Sequence, residues 1–285
     1  MSTTSAGTGF ETTMVTSRDG TVIATDSIGS GPPLILVGGA FSYRRWKGFV
    51  DLARRLSDTF TVFGYDRRGR GESGNGPSDA ATDLVAREVN DLAAVARLAG
   101  RDPLIFGMSS GGVLALRAVA AGVPARGVVV YQPPFVVTDS GTVPPADFGS
   151  HLDGLIAEGR RSAAVHYFMT RGMGAPVPIV AFMRLAPFWK DLKAVAHTLP
   201  ADVAVMGGTV QGMPLDLDPW NRVEVPVLVL DGGRSPKGTA LAASQLVSRL
   251  PAAERVTLTG QGHNVSMAAL EDAIRGFGAG RTPDS

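Results

Sequence analysis

Short apolar runs bounded by glycine, proline or polar residues recur along the chain. The clearest are Leu34–Val37, Phe60–Phe63, Leu104–Phe106, Gly127–Val130 and Val225–Leu230, with weaker runs at Thr21–Asp26 and Glu254–Leu258. Runs of this length and composition predict strands that are buried on both faces of a sheet. Stretches with helical periodicity lie between several of them, at Trp46–Leu56, Asp83–Ala99 and Gly112–Ala121. This alternation predicts an α/β fold, with a mostly parallel central sheet and helices on both faces.

The alternation stops between residues 136 and 221. Helix-like stretches at Gly149–Thr170 and Pro187–Thr198 are separated there by turns rich in glycine and proline. We interpret this region as an inserted helical cap over a core formed by residues 16–135 and 222–280. The alternative is a small helical domain with no role at a site. Residues 1–15 are mostly polar and are predicted to form a flexible leader.

Composition narrows the class of protein. The chain has 285 residues and a formal net charge of +1, so it lacks the basic excess of a nucleic-acid-binding protein. It contains no cysteine, which excludes disulfides and thiolate metal sites. It shows neither a long apolar stretch nor a secretory signal pattern, so we predict a cytoplasmic protein without a membrane span. The expected partner is a small-molecule substrate, and we expect no cofactor or metal.

The sharpest chemical signal is the segment Gly107-Met108-Ser109-Ser110-Gly111-Gly112. It follows a predicted strand and opens a predicted helix, which is the context of a G-x-S-x-G nucleophile turn. Small residues on both sides of the central serine allow backbone segments to approach closely. The free N–H groups at the helix N-terminus favour developing negative charge. We therefore predict that Ser109 is a nucleophile.

A serine hydroxyl needs an adjacent base, and His263 is the predicted one. It lies in Gly260-Gln261-Gly262-His263-Asn264, after the last predicted strand and before a helical stretch at Ser266–Phe277. A loop at this point can return a base to the nucleophile. The other histidines are His151, His166 and His197; they fall in the predicted cap and are expected to face solvent or substrate.

Two backbone amides are predicted to form an oxyanion hole, because a tetrahedral intermediate needs preorganised donors. One is the amide of Ser110, directly after the nucleophile. The other is the amide of Ala40 in Gly38-Gly39-Ala40-Phe41, the loop that follows the first buried strand.

These features together resemble the α/β-hydrolase fold family. The segment Tyr65–Ser73 is similar to the D-x-R-G-x-G-x-S turn of many members, where it is structural, and we assign it no catalytic role. The resemblance covers roughly residues 15–135 and 222–280, and residues 136–221 match the position of the variable cap. It implies esterase, lactonase, amidase, epoxide hydrolase or dehalogenase activity. Serine at the turn, where the last two classes carry aspartate, favours the others.

The chain departs from the family pattern at the triad acid. The usual position, after the strand at Val225–Leu230, holds Ser235, and the alternative position holds Gln132. Three hypotheses stay open. Asp231 reaches His263 from the end of its strand, or Gln132 orients a neutral histidine through its carbonyl, or the site does not carry out ordinary hydrolysis.

The first functional hypothesis is a serine hydrolase that cleaves a small or medium apolar carboxylic ester or lactone through an acyl-enzyme. Apolar side chains of the cap are expected to line its acyl pocket or to pack the cap on the core: Phe148, Tyr167, Phe168, Met169, Met173, Phe182, Met183, Phe188 and Trp189. One alternative is a non-hydrolytic lyase, cyclase or acyltransferase of specialised metabolism, in which Ser109 only donates a hydrogen bond. The other is a receptor that binds a small molecule in the same pocket.

Overall fold

The fold is built on a nine-stranded sheet with the strand order β1-β2-β3-β5-β4-β6-β7-β8-β9. This computed structural model describes residues 2–4, 9–77, 83–100, 102–138, 142–216, 218 and 220–280. The strands are β1 (Ser2–Thr4), β2 (Glu11–Thr16), β3 (Val22–Ile28), β4 (Pro33–Val37), β5 (Thr61–Tyr65), β6 (Leu104–Met108), β7 (Gly127–Tyr131), β8 (Val227–Gly232) and β9 (Ala253–Leu258). Strands β4 to β9 pair in parallel, and β1 to β3 form an antiparallel edge. The predicted α/β class with a mostly parallel sheet is confirmed.

Helices cover both faces of the sheet because side chains of the central strands are buried on both sides. One face packs on α2 (Leu84–Ala99), α3 (Ser110–Ala120) and α9 (Lys237–Arg249). The other packs on α1 (Lys47–Leu56) and α10 (Met267–Gly278). In β6, for example, Ile105 belongs to the first apolar cluster while Leu104 and Phe106 belong to the second. Parallel strands bring their carboxyl ends to one edge, and the candidate site lies there.

A helical segment is inserted between β7 and β8. Its helices are α4 (Phe148–Ala157), α5 (Arg161–Tyr167), α6 (Val177–Met183), α7 (Trp189–Val195) and α8 (Leu199–Met206), and a π-helical turn spans Phe168–Gly172. The segment has its own apolar core, which includes Leu152, Val165 and Trp189. This core packs against Ala40 and Phe41 of the loop after β4, so the segment touches the predicted oxyanion loop.

The prediction of a flexible leader over residues 1–15 is wrong for residues 2–4, which form β1, and for residues 11–15, which lie in β2. Strand β2 pairs with β3 from Glu11 opposite Ser27 to Thr16 opposite Val22. The Thr12 hydroxyl also donates a hydrogen bond to Asp26 at 2.7 Å. Threonine favours strands but is polar. A half-exposed antiparallel strand that is rich in threonine therefore contains no apolar run, and the hydrophobic pattern misses it. Residue 1 and residues 5–8 of the predicted leader lie outside the described residues.

Among the described residues, no helix combines the length and the apolar character that crossing a membrane requires.

Candidate active site

Ser109 lies at a sharp turn between β6 and α3. Its backbone has φ 55° and ψ −128°, a region that residues with a side chain adopt only at an energetic cost. The Ser109 N–H donates to the Tyr131 carbonyl at 2.9 Å, which anchors the turn to the neighbouring strand. Gly107 has to be glycine, because a Cβ there would lie 2.5 Å from the Cα of Gly112. The structure therefore has the strand, strained turn and helix that the sequence predicts around Ser109.

His263 lies next to Gln132, the residue that occupies the alternative position for the triad acid. Nδ1 of His263 lies 3.1 Å from Oε1 of Gln132. Gln132 directly follows β7, has a left-handed backbone (φ 45°) and is buried. Its N–H donates to the Leu230 carbonyl at 2.9 Å, which fixes the residue between two strands. Of the hypotheses for the third residue, the structure has the contact that the Gln132 hypothesis requires.

Two neighbours determine which way the Gln132 amide points. Its Nε2 donates to the Tyr131 hydroxyl at 3.1 Å and to the Ser235 hydroxyl. The Tyr131 hydroxyl in turn donates to the Gly262 carbonyl, next to His263. With Nε2 occupied by these oxygens, Oε1 faces the imidazole and can only accept a hydrogen bond. Nδ1 of His263 must therefore carry the proton, and Nε2 is left as the unprotonated, basic nitrogen.

Tyr131 takes part in this network and was not predicted. A tyrosine at the end of an apolar strand has the same sequence pattern as a core residue, and Tyr131 is fully buried. Burial and then the charge of Asp231 raise the pKa of its hydroxyl to about 12. The hydroxyl consequently stays protonated and keeps its donor to Gly262.

His263 lies at the surface of the site, yet enough protein surrounds its ring that desolvation lowers its pKa below the ordinary value. A lowered pKa keeps the imidazole neutral at neutral pH, as a general base requires. Among the contacts of the described residues, no hydrogen bond joins the Ser109 hydroxyl to the His263 ring. The two side chains stand at the carboxyl ends of β6 and β9 without a direct hydrogen bond.

The prediction that Asp231 reaches His263 is wrong. Both carboxylate oxygens of Asp231 accept hydrogen bonds from Arg255, at 2.8 and 2.9 Å, and the Thr257 hydroxyl adds a third at 3.0 Å. Asp231 pairs in register with Thr257, so its side chain points along the sheet toward β9. The carboxylate is buried and fully used in this ion pair.

Replacing Asp231 with asparagine should therefore lower stability and leave turnover unchanged. The change removes the charge that pairs with Arg255, and we expect a loss of about 1–3 kcal/mol in the free energy of unfolding. Thermal unfolding and kcat/KM, measured on the same preparation, test this. The exposed carboxylate of Asp272 provides a matched control in Asp272→Asn. A large fall in kcat/KM confined to Asp231→Asn would restore Asp231 to the catalytic site.

The predicted oxyanion donors lie on either side of Ser109. A Cβ on Gly39 would lie 3.0 Å from the Ser109 Cβ, so the loop after β4 passes directly over the turn. Ser110 is the first residue of α3. Neither the Ala40 amide nor the Ser110 amide donates a hydrogen bond to another residue in the described part of the chain. Unpaired amides next to a serine are the kind of donor that a developing oxyanion needs.

Aromatic side chains of the inserted segment stand over this loop. Phe41, with a left-handed backbone (φ 64°), meets Phe168 edge to face at 5.5 Å. Phe148 packs on Phe168 at 6.0 Å and stacks on Tyr167 at 5.3 Å. Phe148 and Phe168 belong to the buried core of the segment, and Phe41 and Ala40 pack against that core, so the predicted oxyanion loop borders an apolar surface.

The other apolar and histidine side chains of the segment differ in their placement. Trp189 is buried in the segment's core, whereas Phe182 is 75% exposed and Met173 is 50% exposed. His151 packs on Tyr167 at 4.3 Å, and His197 Nε2 lies 3.2 Å from the Asn75 side-chain oxygen. His166 lies on α5 and is partly exposed.

The comparisons with known proteins agree with this architecture. The sequence model of the alpha/beta hydrolase family matches residues 34–277. The chain belongs to this family. The solved structure of an alpha/beta hydrolase from Sphaerobacter thermophilus is 46% identical to this hydrolase, with a TM-score of 0.84 over 93% of this chain and 99% of that one. The family resemblance inferred from the sequence is confirmed.

Two further relatives are named as hydrolytic enzymes. An N-formylmaleamate deformylase from Pseudomonas putida is 40% identical over 109 residues, which are 37% of this chain and 39% of that enzyme. The match thus spans less than half the length of that relative. An esterase from Exiguobacterium antarcticum shares the fold, with a TM-score of 0.66, 18% identity, and coverage of 94% of this chain and 98% of that one. The prediction of a hydrolase enzyme is supported.

Proposed function

We propose that this hydrolase cleaves small or medium apolar carboxylic esters or lactones through an acyl-enzyme on Ser109. The observation that carries the proposal is the contact between His263 Nδ1 and Gln132 Oε1, with the amide orientation set by Tyr131 and Ser235. This contact holds the imidazole in the tautomer whose Nε2 can accept a proton. Ser109, on its strained turn, is the hydroxyl that would supply it.

In the proposed reaction, Nε2 of His263 takes the proton from Ser109 as the hydroxyl oxygen attacks the substrate carbonyl. The carbonyl oxygen becomes an oxyanion held by the amides of Ala40 and Ser110. Collapse of this intermediate breaks the ester bond, and the leaving alcohol takes the proton back from His263. A water molecule then repeats the sequence on the acyl-enzyme and releases the acid. Catalytic hydrogen bonds are often long in free enzymes and shorten with substrate, so the missing Ser109–His263 bond is compatible with these steps.

Gln132 favours esters and lactones over amides as substrates. A carboxylate next to the histidine would stabilise the imidazolium that forms in each step, whereas a neutral amide stabilises it less. Protonation of the leaving group by the imidazolium matters most when the leaving group is an amine. Esters and lactones, which release a better leaving group, depend on it less. Phe41, which follows Ala40 in the loop after β4 and packs on Phe168, supports an apolar acyl group.

A second candidate is hydrolysis of an N-formyl amide, and one specific observation favours it. The curated relative that is 40% identical over 109 residues is named for the deformylation of N-formylmaleamate. Release of formate from N-formylmaleamate, compared with release of 4-nitrophenol from its butyrate ester, distinguishes the two candidates. A larger kcat/KM for the formyl amide would replace the ester proposal.

A fluorophosphonate probe tests the serine chemistry. We expect the probe to modify Ser109 once per chain, as read from the mass of the peptide that carries it. Ser109→Ala should abolish labelling and His263→Ala should slow it by about 10²-fold or more, since general-base catalysis contributes about 10²–10⁴-fold. Ser248→Ala and His166→Ala are the matched controls and should label at the parental rate. Absence of labelling in a folded parental protein would refute the proposed function.

A further inference from the structure

Four charged side chains are buried together where the inserted segment meets the rest of the fold. Arg67 and Arg70 come from the turn at Tyr65–Ser73, Glu88 comes from α2 and Asp202 from α8, and each is at most 1% exposed. Arg67 bonds to both Glu88 oxygens and to Asp202 Oδ1, and Arg70 bonds to Asp202 Oδ2 at 2.6 Å. Buried ion pairs are weak evidence for stability, because desolvation offsets much of their attraction. Their contacts with the site suggest a second use.

Arg70 holds the peptide group that contains one of the proposed oxyanion donors. Its Nη1 donates to the Gly39 carbonyl at 2.6 Å, while its Nη2 is held by Asp202. The Gly39 carbonyl and the Ala40 N–H belong to the same planar peptide, in which they point in opposite directions. Fixing the carbonyl therefore fixes the direction of the Ala40 N–H. A charged donor on the carbonyl also polarises the peptide and strengthens its N–H as a donor.

The second proposed donor is tied to the same carboxylate. The Ser110 hydroxyl donates to Asp202 Oδ1 at 2.8 Å. This bond fixes the first residue of α3, whose own amide is the donor next to Ser109. Asp202 is thus linked to the Ala40 amide through Arg70 and to the Ser110 amide through the Ser110 side chain.

Asp202 is ionised in this arrangement. Burial by itself would raise the pKa of its carboxyl group, but the charges of Arg67 and Arg70 and the Ser110 hydrogen bond outweigh burial and lower it. Burial raises the cost of the charge on Arg70 as well, which lowers the pKa of that guanidinium, and the Asp202 charge opposes this. The guanidinium of Arg70 stays protonated, and it helps Arg67 to keep the Asp202 carboxylate ionised.

We infer that Asp202, Arg70 and the Ser110 hydroxyl form a positioning unit that aims both oxyanion donors at the substrate carbonyl. The inference rests on the proposed function, since it concerns the oxyanion of the Ser109 reaction. These residues touch no reacting atom, so they are positioning residues. An interaction used only in the transition state affects kcat and leaves KM nearly unchanged. Disrupting the unit should therefore lower kcat and leave KM nearly unchanged.

The test is the turnover of 4-nitrophenyl butyrate by Asp202→Asn and Ser110→Ala. For Asp202→Asn we expect kcat to fall about 10- to 100-fold with KM within about threefold, less than the 10²–10³-fold cost of removing a donor outright. Ser110→Ala keeps the amide and both arginine contacts of Asp202, and it should lower kcat about 3- to 10-fold. It is the variant to use if Asp202→Asn does not fold. The double variant should lose less than the product of the single losses, because both changes act through one contact.

A buried ion pair from the same turn gives the matched control. Arg68 forms a bidentate pair with Asp91 of α2 at 2.7 and 2.8 Å, and its other contacts are with Asp19 and the Arg87 carbonyl. Asp91→Asn removes an equally buried carboxylate that contacts neither Gly39 nor Ser110. It should lower the unfolding temperature as Asp202→Asn does, while kcat stays within about threefold of the parental value.

The extent of fluorophosphonate labelling at Ser109 distinguishes a failure of the positioning unit from a failure of the proposed serine chemistry. Full labelling of Asp202→Asn with a slow kcat supports the positioning unit. A kcat that is unchanged in both Asp202→Asn and Ser110→Ala, or one that falls equally in Asp91→Asn, overturns it. Absence of labelling in the parental protein would overturn the proposed function and, with it, the positioning unit, whereas a labelled parental protein with unchanged variants overturns the positioning unit alone.

Discussion

Replacing Ser109 with alanine is expected to lower kcat/KM for 4-nitrophenyl butyrate by about 10⁵-fold or more, since residues of a nucleophile–base unit contribute jointly. His263→Ala should cost a comparable factor, and the double variant should lose little beyond either single change. The reason is that the nucleophile without its base, and the base without its nucleophile, are both ineffective. Steady-state kinetics on the three variants, with Ser248→Ala and His166→Ala as controls, measure this.

The pattern of the two single losses also separates hydrolysis by an acyl-enzyme from other chemistry. If Ser109→Ala kept most of its activity while His263→Ala lost it, the serine would only donate a hydrogen bond. That outcome would favour the non-hydrolytic alternative, in which the histidine acts on a substrate proton.

Replacing Gln132 with glutamate is expected to raise kcat/KM by about tenfold or more and to move the pH dependence. A carboxylate next to Nδ1 stabilises the imidazolium that forms during catalysis. In a serine protease, a different protein, the opposite change from acid to amide lowers kcat by about 10⁴-fold. Part of the gain should be lost, because Tyr131 and Ser235 now face an acceptor where they faced the Gln132 amide nitrogen.

The sign of the pH shift follows from the charge. In the parental protein desolvation lowers the pKa of His263, so kcat/KM should stay high below the ordinary histidine pKa of about 6.5 and fall only at lower pH. A glutamate raises that pKa, so the acidic limb of the profile should move to higher pH. Gln261→Glu adds the same charge in the neighbouring loop, where the Gln261 oxygen accepts from the Ser266 N–H, and it should shift the limb far less. An unchanged limb in Gln132→Glu would show that Gln132 does not orient the base.

The fold was largely predictable because its central strands are buried on both faces. Runs such as Leu34–Val37 and Gly127–Val130 match β4 and β7 within one residue at each end. Strand β2 was missed because its residues form no apolar run: Thr12 is its one buried residue, while Glu11, Met14 and Thr16 are exposed. Helix α9 was not predicted, since glycine, serine and threonine interrupt its apolar positions.

The candidate site was predictable where the chemistry requires particular residues close together in the sequence. It was not predictable where it depends on the direction of a side chain or on a contact between distant segments. The turn at Ser109 needs small residues at fixed positions, so its sequence is informative. Asp231 looked suitable because it ends a strand, yet strand pairing turns its side chain toward Arg255. Asp202 lies 92 positions from Ser110 and carries no local signal, so only the fold shows that they meet.

The origin of Asp202 in the inserted segment has a consequence for engineering new specificities. Chimeras that exchange this segment between family members are a natural route to altered substrate range. In this protein such an exchange would remove the carboxylate that neutralises Arg70 and receives the Ser110 hydroxyl. A donor segment would have to supply an acidic side chain at the same point of its last helix, or the recipient arginine would have to be replaced together with it.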